Sequence, residues 1–177
     1  IYDAMGRAIR SITPPDKNGV KHTSYTTYYP LRTVSTDANN HSKESILDGL
    51  GRIVEMHEAS ITTKYEYSVP GDMTKIIDAH GNIVTAEYDG LKRRTMMTTP
   101  DTGTRKYEYD LSGNLERLTD NMGQVTVYSY DDVNRMLTED YLDDRNLSPD
   151  VSYHYDEASP DYSYFSNLKG RLSWVED

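Results

Sequence analysis

Carboxylates are the groups in this chain best suited to acid–base chemistry, and they recur in a fixed place. Tyr88-Asp89, Tyr109-Asp110 and Tyr130-Asp131 repeat one dipeptide, and Tyr67, Tyr88, Tyr109 and Tyr130 stand 21 residues apart. Tyr2-Asp3 and Tyr155-Asp156 add two copies, and Leu47-Asp48 a third with Leu for Tyr. A catalytic residue need not be copied once per period, whereas a turn-forming residue must be. The spacing therefore reads these aspartates as corners, and no enzyme activity is expected.

Other chemistry fares no better. Asp16-Lys17-Asn18-Gly19 has the start of a calcium loop, and Asp131-Asp132 and Asp143-Asp144 offer paired carboxylates. A full loop needs a twelfth-position Glu and more oxygens than the sequence supplies, so a structural turn is favoured. His22, His41, His57, His80 and His154 fall in different repeats, and His57-Glu58 leads to no second histidine. No phosphate-binding Gly-rich loop and no Gly-x-Ser-x-Gly elbow is present. No metal or other cofactor is expected. Asn40-His41-Ser42 and Asn146-Leu147-Ser148 fit a glycosylation acceptor, relevant only in a eukaryotic secretory host.

The elements that must hold these corners are strands. Gln124–Asp131 alternates Thr126, Tyr128 and Tyr130 on one face with Val125, Val127 and Ser129 on the other. The same pattern recurs at 64–67, 105–109 and 151–155, with two tyrosines at i and i+2; at 84–88 the first Tyr is Ala86. After the second Tyr comes an Asp corner, and the fourth position after it is Gly6, Gly51, Gly71 or Gly113, with Lys92 and Asn134 elsewhere. Glycine there permits positive φ. A second strand follows, as at 73–77 and 94–98, and ends in turns such as Asp78–Asn82, Pro100–Gly103 and Asp120–Gly123. Asp37 and Asp48, Asp78 and Asp89, and Asp120 and Asp131 are each 11 apart, the constant separation a rigid strand imposes. The unit is strand, turn, strand, turn, copied as an antiparallel meander with little or no helix. A lone hairpin is marginal in water, so stability is expected to build through cross-strand aromatic pairs between neighbours.

Composition supports this. Hydrophobic residues make up 36% of 177, a small share for a buried core, whereas 16 tyrosines suit a sheet with two partly wet faces. Tyr65, Tyr107, Tyr128 and Tyr153 form a candidate binding face for sugars or proteins, with packing between strands as the alternative. A net charge of −10 disfavours nucleic acid and anionic membranes. No apolar stretch reaches the ~18 residues of a transmembrane helix. Cysteine is absent, which removes disulfides, thiolate metal sites and a Cys nucleophile. The whole chain reads as one repeat region, best from 45 to 138 and irregular at 20–44 and 141–166. It opens inside an Ile1-Tyr2-Asp3 motif, so a fragment is expected, with any export signal upstream.

These motifs resemble the Rhs/YD-repeat family. Tyr2–Arg7 gives Tyr-Asp-x-x-Gly-Arg, Asp48–Arg52 gives Asp-Gly-Leu-Gly-Arg, and Tyr107–Leu115 and Gly170-Arg171-Leu172 also fit. The repeat residues are Tyr2, Asp3, Gly6, Arg7, Asp48, Gly51, Arg52, Tyr67, Gly71 and Tyr88. They continue through Asp89, Tyr109, Asp110, Gly113, Tyr130, Asp131, Tyr155 and Asp156. The resemblance implies a β-ribbon spiralling into a hollow shell, as in bacterial Rhs toxins and insecticidal toxin-complex B and C components. It implies a secreted or cell-surface bacterial protein whose partners are the remaining repeats and an enclosed toxin or effector polypeptide. The family's Asp-Pro-x-Gly autoprotease signature is missing, since the chain has no Asp-Pro pair. Two other functions stay open: a surface adhesin whose tyrosine face recognises glycans or protein, and a filament of neighbouring copies joined through open sheet edges.

Overall fold

A computed structural model of the chain describes residues 1–142, 149–158 and 169–177. The described residues are all β: fifteen antiparallel strands among them follow sequence order in one open sheet, and no helix occurs. Two compact units divide the chain, Ile1–Thr85 and Ala86–Asp177. The first holds β1 (Arg10–Ile12), β2 (Thr23–Tyr29), β3 (Arg32–Thr36), β4 (Ser42–Leu47), β5 (Ile53–Glu58), β6 (Ile61–Tyr67) and β7 (Met73–Ile77). β8 (Ile83–Tyr88) carries the chain into the second. There follow β9 (Arg94–Thr99), β10 (Gly103–Tyr109), β11 (Leu115–Thr119), β12 (Val125–Tyr130), β13 (Met136–Tyr141), β14 (Val151–Tyr155) and β15 (Leu172–Glu176).

The strands form because Thr, Tyr, Val and Ile alternate with charged residues at period two. In β6, Tyr65 and Tyr67 are half-buried while Lys64 and Glu66 are exposed, and β10 repeats this with Tyr107 and Tyr109. No side chain is fully buried among the described residues, so a conventional core is absent. Cohesion comes from the ladder and from pairs across it, such as Lys75–Glu66 at 3.0 Å and the Thr98 and Thr104 hydroxyls at 2.9 Å.

Two expectations need correction. Residues 20–44, expected to be irregular, contain β2 and β3 and the start of β4 in continuous antiparallel register. The Asp–Gly corner is replaced there by the tight turn Pro30-Leu31, and Tyr29 pairs directly with Arg32. Second, the tyrosines do not pair with one another across the ladder: Tyr65 faces Ile76, Tyr107 faces Leu118, Tyr128 faces Glu139 and Tyr153 faces Val175. As expected, the stretch beginning at Asp16 is a structural turn, its carboxylate bonded to the N–H groups of Asn18 and Val20. Within 141–166, β14 forms where a strand was expected. Asp143-Asp144 and Asn146-Leu147-Ser148 lie outside the described residues.

One feature escaped the sequence. The register shifts immediately before the last residue of β4, β6, β10, β12 and β14, so each has a bulge between Ile46 and Leu47, Glu66 and Tyr67, Glu108 and Tyr109, Ser129 and Tyr130, or His154 and Tyr155. A bulge re-aims the side chain that follows it. Here that residue is the one ahead of the corner.

Candidate functional site

The residues the repeat brings together lie along one edge of the sheet. Take the corner between β8 and β9. Asp89 donates its N–H to the Arg93 carbonyl at 2.9 Å, and Lys92 donates back to the Asp89 carbonyl at 3.0 Å. The Asp89 Oδ1 accepts the N–H groups of Leu91 and Arg93, both at 2.9 Å, and Oδ2 accepts Arg93 Nε at 2.7 Å. Lys92 has φ 64°, and Asn134 sits alike at 63°. Gly6, Gly51, Gly71 and Gly113 hold the same position with positive φ, as expected. L-residues other than Asn rarely enter that region, so the corner's geometry decides at Lys92.

Asp3–Arg7, Asp48–Arg52 and Asp131–Arg135 repeat the arrangement with Nε to Oδ2 at 2.7 Å each. Asn114 replaces arginine at Asp110, donating Nδ2 to Oδ2 at 2.9 Å. Ser68 and Asp72 exchange roles at the Gly71 corner, where the Ser68 hydroxyl accepts the Asp72 N–H at 3.0 Å. At Asp156 the chain makes the corner across a longer excursion: Asp156 N–H meets the Arg171 carbonyl at 3.3 Å, and Gly170 N–H donates to Asp156 Oδ1.

These bonds hold the carboxylates ionised. The backbone N–H of Arg93 is the main cause that lowers Asp89 below its ordinary 3.8, and the equivalent N–H does so at Asp3, Asp48 and Asp131. For Asp110 the Asn114 side chain is the main cause. A carboxylate with both oxygens engaged and its proton disfavoured is a poor general acid or base at neutral pH. Its role is to fix the chain.

The four arginine corners also grip the next repeat. The Arg52 guanidinium lies 4.7 Å from the Tyr67 ring centre, Arg93 4.7 Å from Tyr109, Arg135 4.5 Å from Tyr155 and Arg7 4.3 Å from Tyr28. Tyrosines at the ends of these strands reach back. Tyr67 OH donates to the Ile53 carbonyl and Tyr109 OH to the Arg94 carbonyl, both at 2.8 Å, and Tyr130 OH to Leu115 at 2.9 Å. In every case the acceptor is the first residue of the strand leaving the preceding corner. Arg52 Nη1 extends to the Ser68 carbonyl at 3.3 Å, Arg93 Nη1 to Asp110 at 3.4 Å, and Arg135 Nη1 to Asp156 Oδ2 at 2.7 Å. Asp, Arg and Tyr thus form a latch from repeat to repeat, and the bulge before each tyrosine aims its hydroxyl.

The repeat residues named from sequence take these places. Tyr88 ends β8 directly ahead of the Asp89 corner, and Tyr2 forms a single bridge with Ala8. The sequence reading missed Arg93, Arg135 and Asn114 as latch members. The available signal was the constant four-residue step from Asp to a donor side chain. Of the candidate binding face, Tyr65, Tyr107, Tyr128 and Tyr153 lie half-buried in β6, β10, β12 and β14. Tyr153 OH donates to Glu139 at 3.4 Å, and Tyr141 OH donates to the same carboxylate at 2.9 Å. Among the described residues no group of three or more His, Asp or Glu side chains is placed to hold a metal ion. Among the described residues no helix is long and apolar enough to cross a membrane.

Residues 105–145 match the RHS Repeat family model. No curated protein matches the sequence. Among solved structures, the crystal structure of TcdB2-TccC3 aligns with TM-score 0.79 at 18% identity, over 99% of this chain and 10% of that one. The TcdB2-TccC3-Cdc42 crystal structure aligns with TM-score 0.77 at 17% identity, over 100% and 10%. A Photorhabdus luminescens Tc holotoxin pore aligns with TM-score 0.78 at 18% identity, over 99% and 10%. The chain spans about a tenth of the length of each of these relatives. Residues 105–145 thus resemble an Rhs repeat, and the chain that contains them has the fold of the corresponding part of the TcdB2-TccC3 structures.

Proposed function

We propose that this chain is a wall segment: one YD-repeat region, residues 1–177, of a β-shell that encloses or carries an effector polypeptide in a large exported bacterial protein. The observation that carries the reading is the repeat-to-repeat latch, in which Arg93 and Arg135 each tie one corner to the next. A sheet with no buried core gains nothing from being a globule, and a latch that recurs along it lets it extend as a continuous barrier. The fold shared with toxin-complex chains about ten times longer supports the same reading. The segment acts by excluding protease and solvent from its cargo and needs no catalysis, since the repeated carboxylates are saturated as acceptors. Export and a secreted or surface location belong to this proposal.

Deletion of the segment from its parent protein exposes the cargo to added protease, and the cleavage pattern of the cargo reads the outcome. Unchanged protection overturns the proposal. A second reading, glycan recognition, draws on Tyr65 and Tyr107, whose rings are half-exposed and whose hydroxyls make no hydrogen bond among the described residues. Glycan-array binding that is lost on Tyr65→Ala with Tyr107→Ala, in a chain that still folds, supports it over the container.

A further inference from the structure

Water-facing turns are ordinarily built from Gly, Pro, Asn, Asp and Ser. One edge of this sheet departs from that rule at every fully described turn. In the first unit its turns present Met5, Leu31, Leu50 and Val69 to solvent; in the second they present Leu91, Leu111 and Val133. Exposure runs from 56% at Leu31 to full exposure at Leu111. The opposite edge is different. Two residues after the corner aspartate, the first edge has Met5, Leu50, Leu91 and Val133, with Ser112 as its exception next to the exposed Leu111. The opposite edge has Asn18, Asn39, His80 and, as its exception, Met122. The opposite edge exposes Val20, Met122 and Leu142, but not one at every turn. Isolated apolar residues on a surface need no explanation, whereas a row renewed at every described turn of one edge does.

Two observations identify the occupant. The first is spacing: one tip stands at every second strand, about 9.6 Å apart given the usual strand separation. A partner that meets successive tips must carry apolar groups at that same spacing, and another copy of this edge does so by construction. The second is charge. At four of the edge's aspartate corners, Asp3, Asp48, Asp89 and Asp131, an arginine Nε sits 2.7 Å from the carboxylate and matches its charge, while at Asp110 the neutral Asn114 takes that place. Across the sheet, Asp16, Asp37, Asp78 and Asp120 have Val20, His41, Asn82 and Gln124 at the arginine's position. In a chain of net charge −10, like edges approach with less repulsion where the aspartates are matched.

We propose that the Asp–Arg edge is a docking surface for the same edge of a second copy of this chain, with aliphatic tips packed against aliphatic tips. This contact is separate from pairing through the outer strands of the sheet. It also differs from a membrane contact, which the acidic charge opposes.

Sedimentation equilibrium of the 177-residue chain tests it. The chain is expected to run at twice its own mass at micromolar concentration. A variant with serine at Leu50, Leu91, Leu111 and Val133 is expected to run at the single mass with unchanged far-UV circular dichroism, while Met122→Ser keeps the double mass. A second measurement does not depend on the serine variant folding. The chain has no cysteine, so cysteines placed at Leu91, Leu111 and Val133 are the only thiols present. Neighbouring tips are farther apart than the ~7 Å reach of a disulfide, so oxidation links only separate copies. A covalent dimer is expected from this variant and none from Met122→Cys. A wild-type chain monomeric at every concentration, a dimer that survives the four serines, equal cross-linking at position 122, or co-sedimentation with phosphatidylserine vesicles in place of dimerisation would each overturn the proposal.

Discussion

Tyr109 and Tyr107 are two residues apart on one strand and have different duties. Tyr109 lies beneath Arg93 and donates its hydroxyl to the Arg94 carbonyl at 2.8 Å. Tyr107 has Arg94 over its ring at 5.1 Å and no hydrogen bond to its hydroxyl among the described residues. A phenylalanine keeps the ring and its attraction for the guanidinium, so Tyr→Phe isolates the hydrogen bond. Tyr109→Phe is expected to lower stability by about 1 kcal/mol, the usual net worth of such a bond, and Tyr107→Phe to be nearly neutral. Urea unfolding of the two variants checks this, and equal effects would show that the hydroxyl of Tyr109 latches nothing. The same contrast should hold for Tyr67 and Tyr65 in β6, where Tyr67 OH reaches the Ile53 carbonyl.

At the scale of the element, the corner is a backbone device with one conformationally demanding position. Gly49 and Gly51 lie in the same corner, and an added Cβ at either meets nothing within 4 Å. They differ in φ: Gly51 is at 79°, whereas Gly49 is outside the left-handed region. Gly51→Ala is therefore expected to cost about 1 kcal/mol from backbone strain alone. Gly49→Ala is expected to gain up to ~1 kcal/mol by restricting the unfolded chain. Thermal unfolding midpoints moving in opposite directions confirm the assignment; a shared direction refutes it. This corner was legible in the sequence because Asp and Gly recur in it with a fixed step, and the strands around it were legible from the alternation in stretches such as Val125–Tyr130. β2 and β3 were not, because the turn between them uses Pro30-Leu31 and carries neither signal. The bulges were invisible for a deeper reason. A bulge is a mismatch between two strands, and one strand's sequence does not state its partner's register. The latch arginines could be read as a spacing but not as a contact, since Arg93 reaches Tyr109 only once β9 and β10 lie side by side.

For the molecule as a whole, the consequence of repetition is that weak effects share a sign. Hydrogen bonds from the chain hold Asp3, Asp37, Asp48, Asp78, Asp89, Asp110, Asp131 and Asp156 below the ordinary 3.8 of an aspartate. A carboxyl whose value is depressed by folding stabilises the native state above its unfolded value, and that contribution is lost as pH falls through the folded one. The acid limb of stability should therefore set in below about pH 4, when the corners protonate together. At the other end, desolvation raises Tyr128, Tyr130 and Tyr153 above 10.0, and the hydrogen bond to Glu139 raises Tyr141. A phenol raised by folding stabilises below its unfolded value and loses that contribution as pH climbs past it. Urea midpoints measured across pH should thus form a plateau that falls on both sides. Changing Asp89 and Asp131 to Asn removes two of the carboxylates that must protonate and should flatten the acid limb without moving the basic one. Glu139→Gln removes the anion that bonds the Tyr141 hydroxyl and lies across the ladder from Tyr128, and should shift only the basic limb upward. If the acid limb keeps its slope in the double Asn variant, the corner carboxylates are not what acid titrates, and the ladder rather than the latch holds the sheet together.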